Sequence, residues 1–185
     1  MTDLEKILAG KDLRSIGKSN AVILKIKNQN DFDLLFKSLY HPDRLVVMHA
    51  ADAIEKLTIN QHRYLKKHKK KIIDLFNSAK YKELKWHLAQ LIPRLPLNSI
   101  EFGKAWDSLT IWAKDKANSR IVRVNAFQSL FEMTKQEPEL REDLYLTFLE
   151  LEQENIPSIN ARIRIIRKLI DKIKKAESGS SVNTF

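Results

Sequence analysis

The side chains that most often bind metals or act as nucleophiles are sparse in this chain. There is no cysteine, which excludes a disulfide framework, a thiolate metal site and a cysteine nucleophile. The five histidines lack the His-Glu-x-x-His spacing with which one helix presents two zinc ligands; they are His41, His49, His62, His68 and His87. We therefore expect no metal and no cofactor.

The motifs of the common catalytic sites are also missing. The sequence contains neither a glycine-rich phosphate-binding loop nor a nucleophile elbow, and it has only 4 glycines in all. It contains no paired-carboxylate arrangement of the kind that performs general acid–base catalysis. These observations indicate a protein that is not an enzyme.

Basic side chains are the abundant chemical group. The formal net charge is +10, which favours attraction to an acidic partner or a polyanion. The charge is unevenly placed. Residues 61–96 hold ten Lys or Arg and two acids, and residues 157–176 hold seven Lys or Arg and one acid. Residues 137–156, by contrast, hold seven acids and one Arg. The chain is therefore polarised rather than uniformly basic.

One basic stripe lies on the last predicted helix, opposite its Ile and Leu positions, because its charged residues recur at helical spacing from 164 to 175. If it shares a surface with arginines of the preceding helix pair, the stripe offers a site for an acidic partner or a phosphate backbone. The other interpretation, a solvated outer face, is the favoured one for the stripe and also for the lysine run of residues 66–71. The candidate binding residues are Arg120, Arg123, Arg164, Arg167, Lys168, Lys66, Lys67 and Lys70.

The sequence predicts that the candidate binding residues lie on helices. The 4 glycines and 5 prolines are too few for the turns of a sheet protein of this length, and apolar residues recur with a helical period from residue 29 onward. Residues 2–9 and 12–27 are predicted to form a helical lead-in. The breaks then define four helix pairs: 29–39 with 43–58, 61–78 with 81–96, 98–116 with 119–134, and 138–154 with 157–175.

The second helices of the four pairs share one frame, in which a central residue lies midway between an opening and a closing apolar residue. The central residue is small in the first three pairs but is replaced by Ile165 in the fourth, and Pro93 takes the closing position in the second pair. The central positions, 39, 37 and 39 residues apart, are Ala50, Ala89, Ala126 and Ile165. A period near 40, two antiparallel helices per unit and a second helix that opens Val122-Arg123 together resemble HEAT repeats over residues 29–174. Armadillo-like and tetratricopeptide-like repeats are related alternatives.

The resemblance implies an all-α fold, a right-handed α-α superhelix of about four antiparallel pairs. It predicts a single domain over residues 1–175 followed by a flexible tail over 176–185. In the first pair, Leu34, Leu35 and Leu39 should pack on the second helix. In the third pair, Ala126 should face the neighbouring helices, whereas Ser129 should face a groove or solvent.

The resemblance also implies a function, a non-enzymatic scaffold that binds a protein or peptide partner, acidic in character, in a concave groove. Binding of nucleic acid is the alternative, including the activity of the HEAT-like DNA alkylation-repair glycosylases, which combine an aromatic and Asp pair with Arg. Trp106-Asp107, Trp112, Asp115 and Arg123 are similar to that set. The acid expected one turn after the tryptophan is replaced by a threonine at position 110.

No stretch of about 18 apolar residues occurs, and the N-terminus lacks the basic and apolar segments of a signal peptide. We therefore expect a cytoplasmic protein with no membrane partner.

Overall fold

The computed structural model describes residues 3–9 and 16–180. Over these residues the chain is all-α, without a strand. Its α-helices are α1 Asp3–Leu8, α2 Ile16–Ile23, α3 Gln29–Lys37, α4 Arg44–Thr58, α5 Lys69–Ser78, α6 Lys82–Leu91, α7 Ser99–Lys114, α8 Arg120–Met133, α9 Arg141–Glu152 and α10 Pro157–Ser180. Short 3-10 helices span Ser38–Tyr40, His62–His68, Ile92–Arg94 and Pro138–Leu140. Among the described helices, none is long and apolar enough to cross a membrane.

Several helices begin where the sequence places a capping side chain. The carboxylate of Asp43 accepts a hydrogen bond from the backbone N–H of Leu45 at 2.8 Å at the start of α4. At α7, the Asn98 side chain accepts from the Glu101 N–H, while Glu101 accepts from the Asn98 N–H, both at 2.9 Å. This reciprocal capping box satisfies two backbone donors that have no partner within the helix.

The chain forms two compact units, Met1–Ala105 and Trp106–Phe185. The single domain expected over residues 1–175 therefore stays a prediction. In the first unit, α4 packs directly against α2, α3 and α6. Leu35 and Leu39 are buried, as predicted, but Leu34 is 47% exposed. Leu34 and Leu35 point about 100° apart on a helix, so only one of them can face the core fully.

The second helix pair of the first unit is less regular than a repeat pattern suggests. The predicted helix over 61–78 begins as a seven-residue 3-10 turn, His62–His68, before α5. Its partner α6 ends at Leu91, and Ile92–Arg94 continues as a 3-10 helix that contains Pro93. A proline removes a backbone donor and clashes with the preceding turn, which explains why α6 ends before residue 96, the end expected from the sequence.

In the second unit, α8, α9 and α10 pack on one another. Ala126 is fully buried, as expected, and α10 contributes Ile159, Ile163, Ile166 and Ile170 to the core. Ser129 is not turned to solvent, since it is only 1% exposed. Its hydroxyl instead donates to the backbone oxygen of Asn125 at 2.8 Å, and this local bond lets a polar side chain lie inside.

The helix α10 extends past residue 175, where the predicted domain ends, to Ser180. The carboxylate of Glu177 accepts two hydrogen bonds from the guanidinium of Arg141, at 2.8 Å each. A paired fork of this kind holds the last turns of α10 against the start of α9. Residues 181–185 of the predicted tail lie outside the described part of the chain.

Candidate functional site

The helix α10 presents most of the predicted binding surface. It begins with Pro157, a residue well suited to the first helical position, and its buried isoleucines all lie on one side. The residues that point away from this buried side are exposed, among them Arg164 and Lys168. Neither makes an ion pair with any residue that the structure describes.

Two exposed apolar side chains, Ile165 and Leu169, lie beside these cations on α10. They are 52% and 41% exposed, and Lys172 follows them on the same side of the helix. We call the five residues the α10 ridge: Arg164, Ile165, Lys168, Leu169 and Lys172. It is a narrow apolar strip with three positive charges along it.

The repeat register explains why the exposure of Ile165 is informative. The equivalent positions in the earlier pairs, Ala50, Ala89 and Ala126, are all fully buried. In the sequence, Ile165 is a large residue at a position that is small in the other three pairs. That departure, in the last of the four pairs, was the signal that could have marked the α10 ridge in advance.

Arg123 does not belong to an open basic surface, contrary to the prediction. It is 2% exposed, and its guanidinium donates to both carboxylate oxygens of Glu154, at 2.9 and 2.6 Å. Its Nε donates to the backbone oxygen of Ala113 at 2.8 Å. The guanidinium is therefore part of the interior, where its hydrogen bonds connect α8 to the end of α7 and to the loop before α10. The hydrogen bonds from Arg123 in turn hold the pKa of the Glu154 carboxyl below its usual range.

The other arginines of the prediction differ from one another. Arg167 donates to Glu152 at 2.8 Å and is half-buried, so much of its charge is neutralised within the unit. Arg120 is exposed at the first residue of α8 and has no ion-pair partner among the described residues. Of the predicted arginines, Arg120 and Arg164 are therefore the two left with an unpaired charge on the described surface.

The lysine run of the first unit is partly neutralised. Lys67 bonds to Asp33, and Lys70 pairs with Asp74 one turn along α5 at 2.9 Å. Lys66 is exposed, with no ion-pair partner in the described ranges. The run therefore presents fewer unpaired cations than the sequence alone suggests, which favours its interpretation as a solvated face.

The residues that resemble the glycosylase set do not share an open surface. Trp106 is buried, and its indole N–H donates to Asp143 at 2.6 Å. Asp115 accepts from the backbone N–H of Ala117 in the loop after α7. Arg123 is likewise paired with Glu154. Trp106, Asp115 and Arg123 therefore make contacts within the second unit that stabilise its fold.

Comparisons with known proteins agree with the repeat pattern. No curated protein and no solved structure matches the sequence. A family model described as a HEAT repeat domain matches residues 3–172, nearly the whole described chain. Together with the helix pairs and their near-constant period, this match shows that the chain belongs to the HEAT repeat domain family.

Proposed function

We propose that this chain is a non-enzymatic interaction module that binds an acidic amphipathic helix of a partner protein on the α10 ridge. HEAT repeats generally mediate protein interactions and are generally not catalytic. The observation that carries the proposal is the exposure of Ile165 at a repeat position that is buried in the three earlier pairs.

The packing within each unit supports a helix as the bound element. In the first unit α6 packs directly against α4, and in the second unit α10 packs directly against α8. A partner helix laid along α10 would continue this series and bury Ile165 and Leu169. Removing two such side chains from water contributes on the order of 1 kcal/mol each, since both are already about half-buried.

The charges on the ridge favour an acidic partner. Arg164, Lys168 and Lys172 flank the apolar strip and are all exposed. Glutamate or aspartate beside the apolar face of the incoming helix would pair with them. Such complementarity mainly sets orientation, specificity and the association rate, and it weakens with added salt.

A synthetic helical peptide tests the proposal. The probe carries leucines at i, i+4 and i+7 with glutamates beside them and a fluorescent label, and its binding is followed by anisotropy at low and high salt. We expect Leu169→Asp, and separately Arg164→Glu with Lys168→Glu, to raise the Kd at least tenfold. Lys66→Glu, at an exposed lysine of the first unit, is the matched control and should change the Kd little.

Two results would contradict the proposal. In the first, wild type and ridge variants bind the peptide equally, or a scrambled peptide of the same charge binds as well as the amphipathic one. In the second, a labelled DNA duplex binds with an affinity that falls about tenfold or more between 50 and 200 mM salt. If that binding is lost with Arg164→Glu and Lys168→Glu but kept with Leu169→Asp, nucleic acid replaces the protein partner.

A further inference from the structure

Three potential metal ligands converge between α4 and α6 in the first unit. Asp52 and Glu55 are three residues apart on α4 and so lie on the same side of that helix, and His87 faces them from α6. One carboxylate oxygen from each acid and one ring nitrogen of the histidine all lie within 4.8 Å of one another.

His87 is the unusual member of this group. It is 5% exposed, and its Nδ1 is buried without a hydrogen-bond partner among the described residues. Buried polar atoms are nearly always paired, so an unpaired one calls for an explanation. Burial lowers the pKa of His87 to about 4, with Asp52 opposing and Lys56 adding to the effect.

Each carboxylate already has one basic partner but keeps a second oxygen. Asp52 uses Oδ2 for the Lys56 ammonium at 2.6 Å, and Glu55 uses Oε1 for Arg94 at 2.7 Å. Arg94 is anchored further by the backbone oxygen of Glu55 and the hydroxyl of Thr58. Lys56 has a long, flexible stem and no second hydrogen bond within the described part of the chain, so it is the group that an incoming cation would displace.

We propose that Asp52, Glu55 and His87 form a binding site for a divalent transition-metal cation of the Zn²⁺ class. One imidazole nitrogen and two carboxylate oxygens make a set that Zn²⁺, Co²⁺ and Ni²⁺ accept, with water completing the coordination. Mg²⁺ and Ca²⁺ prefer oxygen ligands alone and fit the set less well.

The sequence could not indicate this site by motif spacing. His87 follows Glu55 by more than thirty residues, and only the packing of α6 on α4 brings the two together. The expectation of no metal rested on histidine spacing within single helices, and ligands from two helices escape such a pattern.

The test titrates the full chain with Zn²⁺ by calorimetry and with Ni²⁺ by tryptophan fluorescence. The Trp86 and His87 ring centroids are 5.1 Å apart, so a paramagnetic ion bound to His87 should quench Trp86. We expect saturable binding of one ion per chain. His87→Gln should weaken it at least tenfold, since the loss of a group that only supports a ligand already costs about 10–100-fold, and Trp86→Phe should remove most of the quenching.

Lys56→Met gives the most specific result, because it removes the competing cation without touching a ligand. It should tighten Zn²⁺ binding severalfold, whereas Lys70→Met, which breaks a similar ion pair on α5, should leave the affinity unchanged. If His87→Gln does not fold by circular dichroism, Asp52→Asn takes its place, with the same expected loss.

The proposal is overturned if no saturable binding occurs up to millimolar metal, or if His87→Gln and Asp52→Asn bind as the wild type does. It is equally overturned if His62→Gln or His41→Gln abolishes binding, since the ion would then be held by other histidines.

Discussion

At the scale of single residues, the Arg123 and Glu154 pair shows how a predicted surface cation becomes an interior support. Replacing Arg123 with Met would leave Glu154 without its partner and Ala113 with an unpaired carbonyl. We expect a loss of about 3 kcal/mol in the free energy of unfolding, as for other broken buried pairs. Urea denaturation measures the loss, and Arg164→Met, at an exposed arginine of the same unit, should stay within about 0.5 kcal/mol of wild type.

The partner variant distinguishes an ion pair from simple packing. If the two side chains are coupled, Arg123→Met with Glu154→Gln should cost clearly less than the two single changes added together. Strict additivity would show that the arginine stem, rather than its charge, supports the unit.

Asp33 is the residue with the clearest consequence for pH dependence. Its burial alone would raise the pKa, but hydrogen bonds from Lys67, Gln29 and His68 outweigh burial and hold the pKa of Asp33 well below its usual range. The ring of His68, stacked on Phe36, faces the Asp33 carboxylate at 2.6 Å.

A carboxyl group whose pKa is lowered by folding binds fewer protons in the native state than in the unfolded state. Its contribution to stability is therefore complete above the unfolded pKa of about 4 and is lost as the pH falls below that value. We expect Asp33→Asn to cost about 2 kcal/mol at pH 7 and a smaller amount at about pH 2.5, where part of the contribution of Asp33 has been lost; denaturation at both pH values measures the difference. Asp107→Asn, at an exposed carboxylate, should show no such convergence.

At the scale of the element, α8 admits no larger side chain at its buried small positions. Ala126→Leu should overpack the neighbours of α8 and lower the free energy of unfolding by about 1–3 kcal/mol. Ser129→Leu should cost a similar amount, because Ser129 is buried rather than turned to a groove. Arg120→Leu, at the exposed start of the same helix, is the matched control. A silent Ser129→Leu in thermal melts would contradict this packing of α8.

A second prediction at this scale concerns the end of α10. A chain that ends after Ser180 should melt as the full chain does, since it keeps the pairing of Glu177 with Arg141. A chain that ends after Ala176 loses that pairing and the last turn of the helix, so its melting temperature should be lower. Equal melting of the two truncated chains would show that the last turn adds nothing to stability.

At the scale of the whole molecule, the sequence by itself determined the class, the repeat and most of the core. Helical periodicity, few glycines and a period near 40 are properties of the spacing of residues along the chain. They can be recognised without knowing how the helices pack. Leu35, Ala50 and Ala126 were predicted to be buried for this reason, and they are.

Only the tertiary structure decided which polar side chains remain available for binding. Arg123 and Arg164 look alike in the sequence as members of one predicted basic surface, yet Arg123 is paired with Glu154 and Arg164 is exposed. The convergence of His87 with Asp52 likewise depends on two helices that are separate in the chain. Charge and ligand type are properties of a residue, whereas pairing and burial depend on what the fold places beside it, and helical periodicity carries no information about partners on other helices.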